Sequence, residues 1–307
     1  MLDVRRLRLL SDLAHLGTIA AVAKARTFTP SAVSQQLAAL EREAGVPLLE
    51  RSGRRVVLTP AGAVLVKHAD AVLAALEEAG AAVAAARDEL SGPLRIGAFP
   101  TAVRTLLPGA LVTLGREHPG LELLVTELDP VDAPDALRER RLDVALVHDY
   151  DVLPDSPDAG FDDCPLLEET VFLAVPAGTA ADLRSTKDAA WIAGSPGTVC
   201  HSVALQLCRS AGFTPQIRHH ADDFAAVLAL VAAGLGVSLV PELAAADPPA
   251  GVQLLPLPAH RRTRVTCRSG GAVHPAIAAF TAAVQDSTAC YLAEVRNKSA
   301  HRCIEGV

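Results

Sequence analysis

The fold of the amino-terminal region is decided by residues 17–45, GTIAAVAKARTFTPSAVSQQLAALEREAG. This stretch predicts a short apolar helix, a tight turn, and a second helix that has its own start and stop signals. Thr29 is a good N-cap, and Pro30 suits the first helical position because no backbone N–H donor is lost there. Gly45 can take the left-handed conformation that ends a helix. Between these signals, apolar residues recur at the spacing of one buried stripe, at Val33, Leu37 and Leu40.

The face of the second helix opposite this stripe carries short polar side chains. Such side chains reach the edges of bases when a helix lies in the major groove of DNA. The pattern therefore predicts a helix-turn-helix DNA reader, although an ordinary pair of antiparallel helices in a helical domain would show the same two elements. The four polar residues are Ser31, Ser34, Gln35 and Gln36.

Residues 48–58 weigh against that alternative. Their sequence, LLERSGRRVVL, predicts two short strands around a Ser-Gly turn. Three arginines, Arg51, Arg54 and Arg55, cluster at the tip of this predicted hairpin. A basic hairpin that directly follows a recognition helix is typical of a wing, whose arginines contact phosphates or a narrow minor groove.

The size and charge of the chain indicate a small basic module attached to a larger acidic one. A chain of 307 residues is too long for one compact core and predicts two or three domains. Residues 1–60 carry nine Lys/Arg and five Asp/Glu, whereas the rest of the chain carries 19 and 30. This distribution, within a net charge of −7, fits a nucleic-acid module joined to a regulatory domain.

Nothing in the sequence predicts a membrane-spanning or exported protein. No uncharged apolar run approaches ~18–20 residues, and the start of the chain lacks a signal-peptide core. The six cysteines are scattered without a Cys-x-x-Cys pair, which favours reduced thiols over a disulfide framework or a zinc site. We therefore expect a cytoplasmic protein that has no metal and no cofactor.

A long linker helix is predicted from Thr59-Pro60, which repeats the Thr-Pro start signal, to about Glu89. Apolar residues inside it follow alternating spacings of four and three, which is an unbroken heptad seam. We expect this seam to pair with a second copy of the chain, because a solitary helix would leave it in water; burial against its own domain is the alternative. The seam residues are Leu65, Ala69, Val72, Leu76, Ala79, Val83, Ala86 and Leu90.

The remainder of the chain alternates predicted strands and helices after a hinge at Ser91-Gly92-Pro93. Short apolar runs separated by helical segments are typical of a parallel sheet covered by helices. Two such halves in tandem predict two α/β lobes with a cleft between them. The first half contains strands 94–99, 121–128 and 143–147 with helices 101–118 and 133–140; the second contains strands 171–175, 191–193, 217–220 and 237–240 with helices 199–210 and 224–233; strand 264–268 and helix 274–295 return to the first.

The expected fold class is α/β behind an all-α winged helix-turn-helix domain. We expect the DNA-binding domain in residues 1–59, the linker helix in 60–90, the regulatory domain in 91–295 and a tail in 296–307. Within the regulatory domain, the first lobe spans about 93–162 and 266–295, and the second lobe spans about 163–265.

Two predicted helix starts face the cleft. Pro100-Thr101-Ala102 follows the first strand of the first lobe, and Ser195-Pro196-Gly197-Thr198 takes the corresponding place in the second. Backbone N–H groups at helix starts bind anions, so we expect a small anionic effector such as a carboxylate. Thr101 and Thr198 are the expected side-chain donors, and plain helix capping is the alternative role for both.

The chain resembles the LysR-type transcriptional regulators over about residues 3–285. The resemblance is strongest over residues 17–62, which include AVSQQLAALE, LLER and LTPAG. LDVAL at 142–146, AGFTP at 211–215 and VAAGLGVSLVP at 231–241 support it. It implies a transcriptional regulator with a winged helix-turn-helix domain, a dimerising linker helix and a two-lobed effector domain like a periplasmic binding protein. It also implies homotetramers made of two dimers, and a paired DNA reader predicts an inverted-repeat operator.

Transferred to matching positions, the resemblance implies functional residues in both domains. The amide of Gln35 is the candidate for reading an adenine at N6 and N7, and a phosphate contact is its alternative role. Arg26 departs from the family pattern, because it takes a place usually held by an apolar residue at the end of the first reader helix. The implied DNA contacts are Thr29, Pro30, Ser31, Ser34, Gln35, Gln36, Arg51, Arg54 and Arg55, and the residues implied near the effector are His148, His201, Asp222 and Phe224.

Other functions explain less of the sequence. Some relatives sense peroxide through a cysteine pair, and Cys200 and Cys208 fall in that neighbourhood. Eight residues on one helix separate them by ~12 Å along its axis, whereas a disulfide needs Cα atoms within ~7 Å. A cytosolic small-molecule-binding protein or an enzyme would account for the lobes alone, and no nucleophile elbow, phosphate loop or dinucleotide motif follows a strand. The sequence therefore predicts a regulator that is not an enzyme.

Overall fold

The computed structural model describes residues 1–53, 55–86, 89–154, 158, 160–179 and 182–305, with side chains through residue 294. The chain begins with an amino-terminal domain of three helices and an antiparallel hairpin. Asp3, Thr18 and Thr29 cap the three helices, each through a side-chain oxygen that accepts a backbone N–H. The bounds of these elements are α1 Val4–Leu16, α2 Ile19–Ala25, α3 Pro30–Ala44, β1 Leu49–Ser52 and β2 Arg55–Leu58.

One apolar cluster holds the amino-terminal domain together. The predicted stripe of α3 is buried in this cluster, together with apolar residues of α1 and α2. The cluster also includes Val66 and Ala69 from the helix that follows the hairpin. At the start of that helix, a Cβ on Gly62 would lie 2.1 Å from the carbonyl oxygen of Leu48, so the close packing there requires glycine.

The linker helix, α4, spans Pro60–Ala85 and ends about one turn before the predicted Glu89. Thr59 caps it, since its Oγ1 accepts the N–H of Gly62 at 3.0 Å. Ala86 is the C-cap, and Leu90, the last predicted seam residue, lies outside the helix. The heptad seam is therefore shorter than predicted.

The seam changes its environment along α4. Ala69 is buried in the amino-terminal domain, whereas Val72, Leu76 and Val83 are 39%, 47% and 69% exposed. The seam is thus buried against the chain's own amino-terminal domain at its start, as the alternative predicts, but it is exposed at these three later positions.

The described part of the chain after α4 forms an α/β domain of two lobes. Its strands are β3 Gly92–Ala98, β4 Leu121–Glu127, β5 Val144–Tyr150, β6 Phe161–Pro176, β7 Ala190–Ala193, β8 Gln216–His220, β9 Ser238–Pro241 and β10 Val252–Arg268; its helices are α5 Pro100–Thr105, α6 Leu107–Glu117, α7 Ala133–Arg138, α8 Val199–Ser210, α9 Phe224–Ala232 and α10 Pro275–Glu305.

The main sheet has six strands in the order β4-β3-β5-β10-β6-β9, and β7 and β8 form a second, parallel pair. Strand β3 is parallel to both β4 and β5. Strand β10 is antiparallel to β5 and β6, which lie on either side of it. The main sheet is therefore mixed, and the prediction of a parallel sheet is wrong for it. The reason is that β6 carries the chain from one lobe to the other and β10 carries it back, so these neighbouring strands run in opposite directions.

We call β3–β5 with α5–α7 and α10 the first lobe, and β7–β9 with α8 and α9 the second lobe; β6 and β10 pass through both. The first lobe packs α5, α6 and α10 on one face of the sheet, around the buried Phe99 and Phe280. The second lobe has smaller clusters, one of them around the buried Trp191. Because two strands connect the lobes, a cleft lies where they meet.

Four further elements differ in extent from the prediction. The helix predicted over 101–118 is two helices, since the chain breaks at Leu106 and Pro108 stands in the first turn of α6. The strands predicted at 171–175 and 264–268 are the ends of strands of 16 and 17 residues. Helix α10 continues to Glu305, through the segment predicted as a tail. None of the helices in the described ranges combines the length and apolar character that a membrane span needs.

Candidate functional site

The first candidate site is the exposed face of α3. Thr29 and Pro30 form its amino-terminal end, where Thr29 Oγ1 accepts the N–H of Ala32 at 3.2 Å. The side chains that the sequence assigned to DNA all lie on the solvent side of this helix, which suits entry into a groove. They are Thr29, Pro30, Ser31, Ser34, Gln35 and Gln36.

The polar residues of this face differ in whether their side chains already form hydrogen bonds within the domain. Ser34 Oγ donates to the carbonyl of Pro30 at 2.9 Å, and Gln36 Oε1 accepts from Arg6 Nε at 2.9 Å. Gln35 makes no hydrogen bond to any residue in the described part of the chain. Its amide therefore has both donors and acceptor available for a base edge.

The hairpin is fixed to α3 by a residue that sequence reasoning did not identify. Glu41 Oε1 accepts the backbone N–H groups of Leu48 and Leu49, at 2.9 and 3.0 Å. This carboxylate sets the start of β1 against the recognition helix. Arg51 and Arg55 are exposed on the hairpin, and Arg54 lies outside the described residues.

Arg26, the departure from the family pattern, has a partner inside the domain. Its Nε and Nη2 donate to the two carboxylate oxygens of Asp12, at 2.6 and 2.7 Å. The side chains of Arg26 and Asp12 are 17% and 5% exposed. The two residues thus form a largely buried bidentate ion pair between α1 and the end of α2.

The second candidate site is a cavity of about 210 Å³ between the lobes. Six of the nine effector residues assigned from the sequence line it: Pro100, Thr101, His148, Thr198, Asp222 and Phe224. The other three lie elsewhere. Ala102 is buried in the core of the first lobe, Ser195 donates to Asp222, and His201 Nδ1 bonds the carbonyl of Gly194.

The floor of this cavity holds Arg261, which sequence reasoning did not select. Arg261 is fully buried, and its Nε donates to Glu169 Oε1 at 2.6 Å. Its Nη1 is buried without a hydrogen-bond partner among the described residues, and its guanidinium lies 5.0 Å from the ring centroid of Phe99. A buried donor without a partner costs free energy, which an acceptor on a bound molecule would recover.

A row of aromatic and thiol groups flanks Arg261. His148 lies between Phe99 and Tyr150, with ring centroids 4.7 and 5.4 Å away in edge-to-face contacts. Burial, reinforced by Arg261, holds the pKa of His148 well below its usual value, so its imidazole is neutral at pH 7. Tyr150 Oη lies 3.7 Å from Cys200 Sγ, and burial raises the pKa of that thiol.

The mouth of the cavity is acidic. Asp222 accepts the N–H and the hydroxyl of Ser195, at 2.7 and 2.6 Å. Asp129 approaches the start of α8 from the first lobe, through the N–H of Val199, and burial raises its pKa. Carboxylates of the chain thus already lie at the helix start where the sequence predicts an anionic effector.

Of the two threonines, Thr198 is the one whose hydroxyl caps a helix. Thr198 Oγ1 accepts the N–H of His201 at 3.2 Å and donates to the carbonyl of Ser195 at 2.8 Å, so its hydroxyl is engaged in capping α8. Thr101 is buried in α5, which has six residues and hence a small dipole. The chemistry of the cavity therefore centres on Arg261. No cluster of three or more metal-ligating side chains occurs in the ranges that the structure describes.

Comparison with known proteins gives consistent matches over both domains. Residues 4–63 match the family described as "Bacterial regulatory helix-turn-helix protein, lysR family", and residues 87–289 match "LysR substrate binding domain". A "Probable hydrogen peroxide-inducible genes activator" of Mycobacterium avium is 36% identical over 248 residues, which is 76% of this chain and 78% of that protein. "Transcriptional dual regulator GltC" of Bacillus subtilis is 28% identical, covering 78% of this chain and 81% of that protein. The solved structure "Corynebacterium glutamicum OxyR C206 mutant" aligns with a TM-score of 0.59 at 27% identity, covering 97% of this chain and 95% of that one.

Proposed function

The chain belongs to the LysR-type family of transcriptional regulators, and from that premise we propose how it reads DNA, how it assembles and what it senses. It is a DNA-binding regulator with a helix-turn-helix domain and an α/β effector domain. In our proposal α3 lies in the major groove, and the exposed arginines of the hairpin contact phosphates or the minor groove. The observation that carries this proposal is the exposed polar face of α3, on which the Gln35 amide is unoccupied.

Replacing Gln35 with alanine is expected to relax sequence preference while nonspecific binding persists. The reason is that a bidentate amide–adenine contact contributes about 1–3 kcal/mol of discrimination, whereas phosphate contacts supply most of the affinity. Binding is measured over a randomised set of operators derived from DNA that the purified protein selects from its genome.

Arg55→Ala is the matched comparison for Gln35→Ala. It should weaken binding to all sequences alike and reduce the slope of log affinity against log salt by about one. If Gln35→Ala kept the full sequence preference and instead lowered the salt slope, the glutamine would be a phosphate contact.

We further propose that two copies pair through the seam of α4 and read an inverted repeat, and that dimers join into a homotetramer. The exposed Val72, Leu76 and Val83 support the pairing, and a symmetric dimer places its two reading helices on one face of DNA, about 10 base pairs or a multiple apart. We propose a cytoplasmic location, because bacterial DNA lies in the cytoplasm. No catalytic step is part of the proposal.

For the cleft we propose a small effector whose carboxylate accepts from Arg261 Nη1. The acidic mouth, with Asp129 and Asp222, disfavours a second negative charge and favours a neutral or cationic remainder. This refines the expected carboxylate to a monocarboxylate, in particular one that also carries an ammonium group. The unpartnered Nη1 of a fully buried arginine is the observation that supports it.

The effector class is tested by calorimetric titration of the full chain with amino acids, simple monocarboxylates and dicarboxylates. We expect saturable binding in the first two groups and none in the third. Arg261→Lys keeps a cation beside Glu169 but removes the planar donor pair, so affinity should fall at least tenfold, about 1.4 kcal/mol; the melting temperature of the variant, measured alongside, shows that it is folded at the temperature of the titration. Arg104→Gln, at an exposed contact with Asp223 across the lobes, is the control and should change affinity by less than threefold. Absence of saturable heat with every compound would overturn this assignment.

A second candidate is peroxide sensing, because the Mycobacterium avium relative is described as a probable hydrogen peroxide-inducible activator and Cys200 lines the same cavity. In that chemistry Cys200 would take one oxygen atom from hydrogen peroxide to become a sulfenic acid, and water would leave. The raised pKa of Cys200 opposes this reaction, because the thiolate is the nucleophile. Burial also raises the pKa of Cys208 to about 12.

Thiol counting after peroxide treatment, run beside the titration, separates the two candidates. A loss of one thiol that Cys200→Ser prevents would make peroxide the signal. An unchanged thiol count together with saturable carboxylate binding would support the first candidate.

A further inference from the structure

The linker helix α4 contacts the first lobe of its own chain through a cluster of charges. Glu77 of α4 forms ion pairs with Arg140 and Arg268, the latter at 3.5 Å between Oε2 and Nε. Arg140 follows α7, and Arg268 ends β10. We call Glu77, Arg140 and Arg268 the linker ion cluster.

Arg268 is held firmly on the lobe side of this cluster. Its Nη1 donates to the carbonyl oxygens of Leu137, in the last turn of α7, and of Leu142, just before β5, at 2.9 and 2.8 Å. The side chains of Arg268 and Glu77 are 15% and 16% exposed. Attraction between such shielded charges is screened less than between exposed ones.

The backbone at the cluster is adapted to this contact. Arg140 has a φ of 61°, a left-handed conformation that residues other than glycine rarely adopt. Such conformations persist where surrounding contacts determine them, and they occur at switch regions. Gly270, with a φ of 80°, lies against α4 so closely that a Cβ would be 2.3 Å from the carbonyl oxygen of Ala74. The first lobe and α4 therefore fit each other at the level of the backbone.

A second contact supports the same docking from the amino-terminal domain. His15 Nε2 of α1 lies 3.4 Å from Asp158 Oδ1, and Asp158 also pairs with Arg138 of α7. The hydrogen bond to Asp158 raises the pKa of His15, because this contact favours the charged imidazole. Nearby, Ser11 Oγ donates to Asp70 Oδ1 at 2.6 Å and joins α1 to α4.

We propose that the linker ion cluster fixes the DNA-binding domain in one orientation relative to the effector domain, and so determines how far apart two paired reading helices stand on DNA. Strand β10 carries both Arg261, at the cleft, and Arg268, in this cluster. The cluster therefore joins the linker helix to the strand that also carries the arginine of the cleft.

The test uses the full chain without effector and measures two quantities: the radius of gyration by small-angle X-ray scattering, and the nuclease footprint on DNA with two half-sites. Arg140→Gln and Glu77→Gln should each raise the radius of gyration and change the footprint length. Arg140→Gly removes the same side chain and also relieves the left-handed backbone, so it should release the domain without loss of melting temperature. The double variant Glu77→Gln/Arg140→Gln should resemble Glu77→Gln, because that single change already removes both ion pairs of the cluster, whereas Arg140→Gln alone leaves the pair with Arg268.

The matched controls are the neighbouring Arg141→Gln and Glu78→Gln, which leave the cluster intact and should match the unmodified protein in both measurements. Affinity for a single half-site should stay within twofold in every variant. Half-site affinity distinguishes a failure of the proposed DNA reading from a failure of the proposed role of the cluster. Absence of half-site binding in the unmodified protein would contradict the proposed DNA reading. Scattering and footprints of Arg140→Gln, Arg140→Gly and Glu77→Gln that coincide with those of the controls would overturn the role of the cluster.

Discussion

Aspartate at both Val72 and Val83 is expected to separate the paired linker helices and to lower affinity for an operator with two half-sites by about 10²–10⁴-fold. Both side chains lie on the exposed part of the seam, at 39% and 69% exposure. In a pair of linker helices, each aspartate would lose contact with water and lie near an aspartate of the second chain. Like charges would then face each other across the seam. Without pairing, the second half-site loses the high effective concentration that a dimer provides.

The measurements are molar mass in solution by light scattering and affinity for DNA with one or two half-sites. We expect the mass to halve and the two affinities to become nearly equal. Val64→Asp is the matched control, because Val64 is a 57% exposed valine of α4 that lies off the seam. A Val72→Asp/Val83→Asp protein with the mass and operator affinity of Val64→Asp would show that α4 does not pair through this seam.

The amino-terminal domain could be predicted well from sequence because its signals are local. Thr29, Thr59 and Gly45 each determine the start or the end of a helix through contacts within four residues. The buried stripe of α3 follows from helical periodicity, which is likewise local. The start and end of α3 and the start of α4 therefore agree with those signals, whereas α4 ends about one turn earlier than predicted and one helix outside this domain breaks at a competing signal. Pro108, inside the helix predicted over 101–118, marks such a break.

The long strands could not be predicted because their pairing is not local. Strand β10 spans 17 residues and includes Arg261, Arg262 and Arg264, so its apolar character is evident in short parts alone. The residues of β5 and β6 with which it pairs lie 76 to 123 positions earlier in the chain. A parallel sheet was the reasonable expectation from alternating strands and helices, and the two strands that connect the lobes made it wrong.

In the candidate cleft, too, the locally signalled residues could be predicted and the residues paired over a long sequence distance could not. The loops after predicted strands pointed to Thr101, Thr198 and Asp222, which line the cavity. Arg261 and Glu169 were missed because each is one more charged residue in a polar stretch, and their pairing joins positions 92 residues apart. Arginine is mostly exposed in proteins, so its burial at this position can be recognised only in the folded structure. Sequence therefore located the cavity, whereas its charge balance required the folded structure.

Arg26 is a sharper case, since the sequence shows its departure from the family pattern but not the identity of its partner. Replacing Arg26 with leucine would restore the apolar residue usual at this place, yet we expect it to destabilise the amino-terminal domain by about 3 kcal/mol. Asp12, at 5% exposure, would remain buried without its bidentate donor. For a domain of this size, such a loss lowers the melting temperature by roughly 10–20 °C. Calorimetry of the full chain, together with the temperature at which DNA binding is lost, measures the effect.

The double variant Asp12→Leu/Arg26→Leu decides whether the pair or the arginine alone matters. Removing both charges leaves an apolar contact between α1 and α2, which often costs little compared with an intact ion pair. We therefore expect the double variant to recover most of the stability that Arg26→Leu loses. Lys24→Leu, an exposed cation one residue before the end of α2, is the control and should change stability by under about 0.5 kcal/mol. If Arg26→Leu melted together with Lys24→Leu, or the double variant melted below Arg26→Leu, Asp12 would not be the group that requires an arginine at this position.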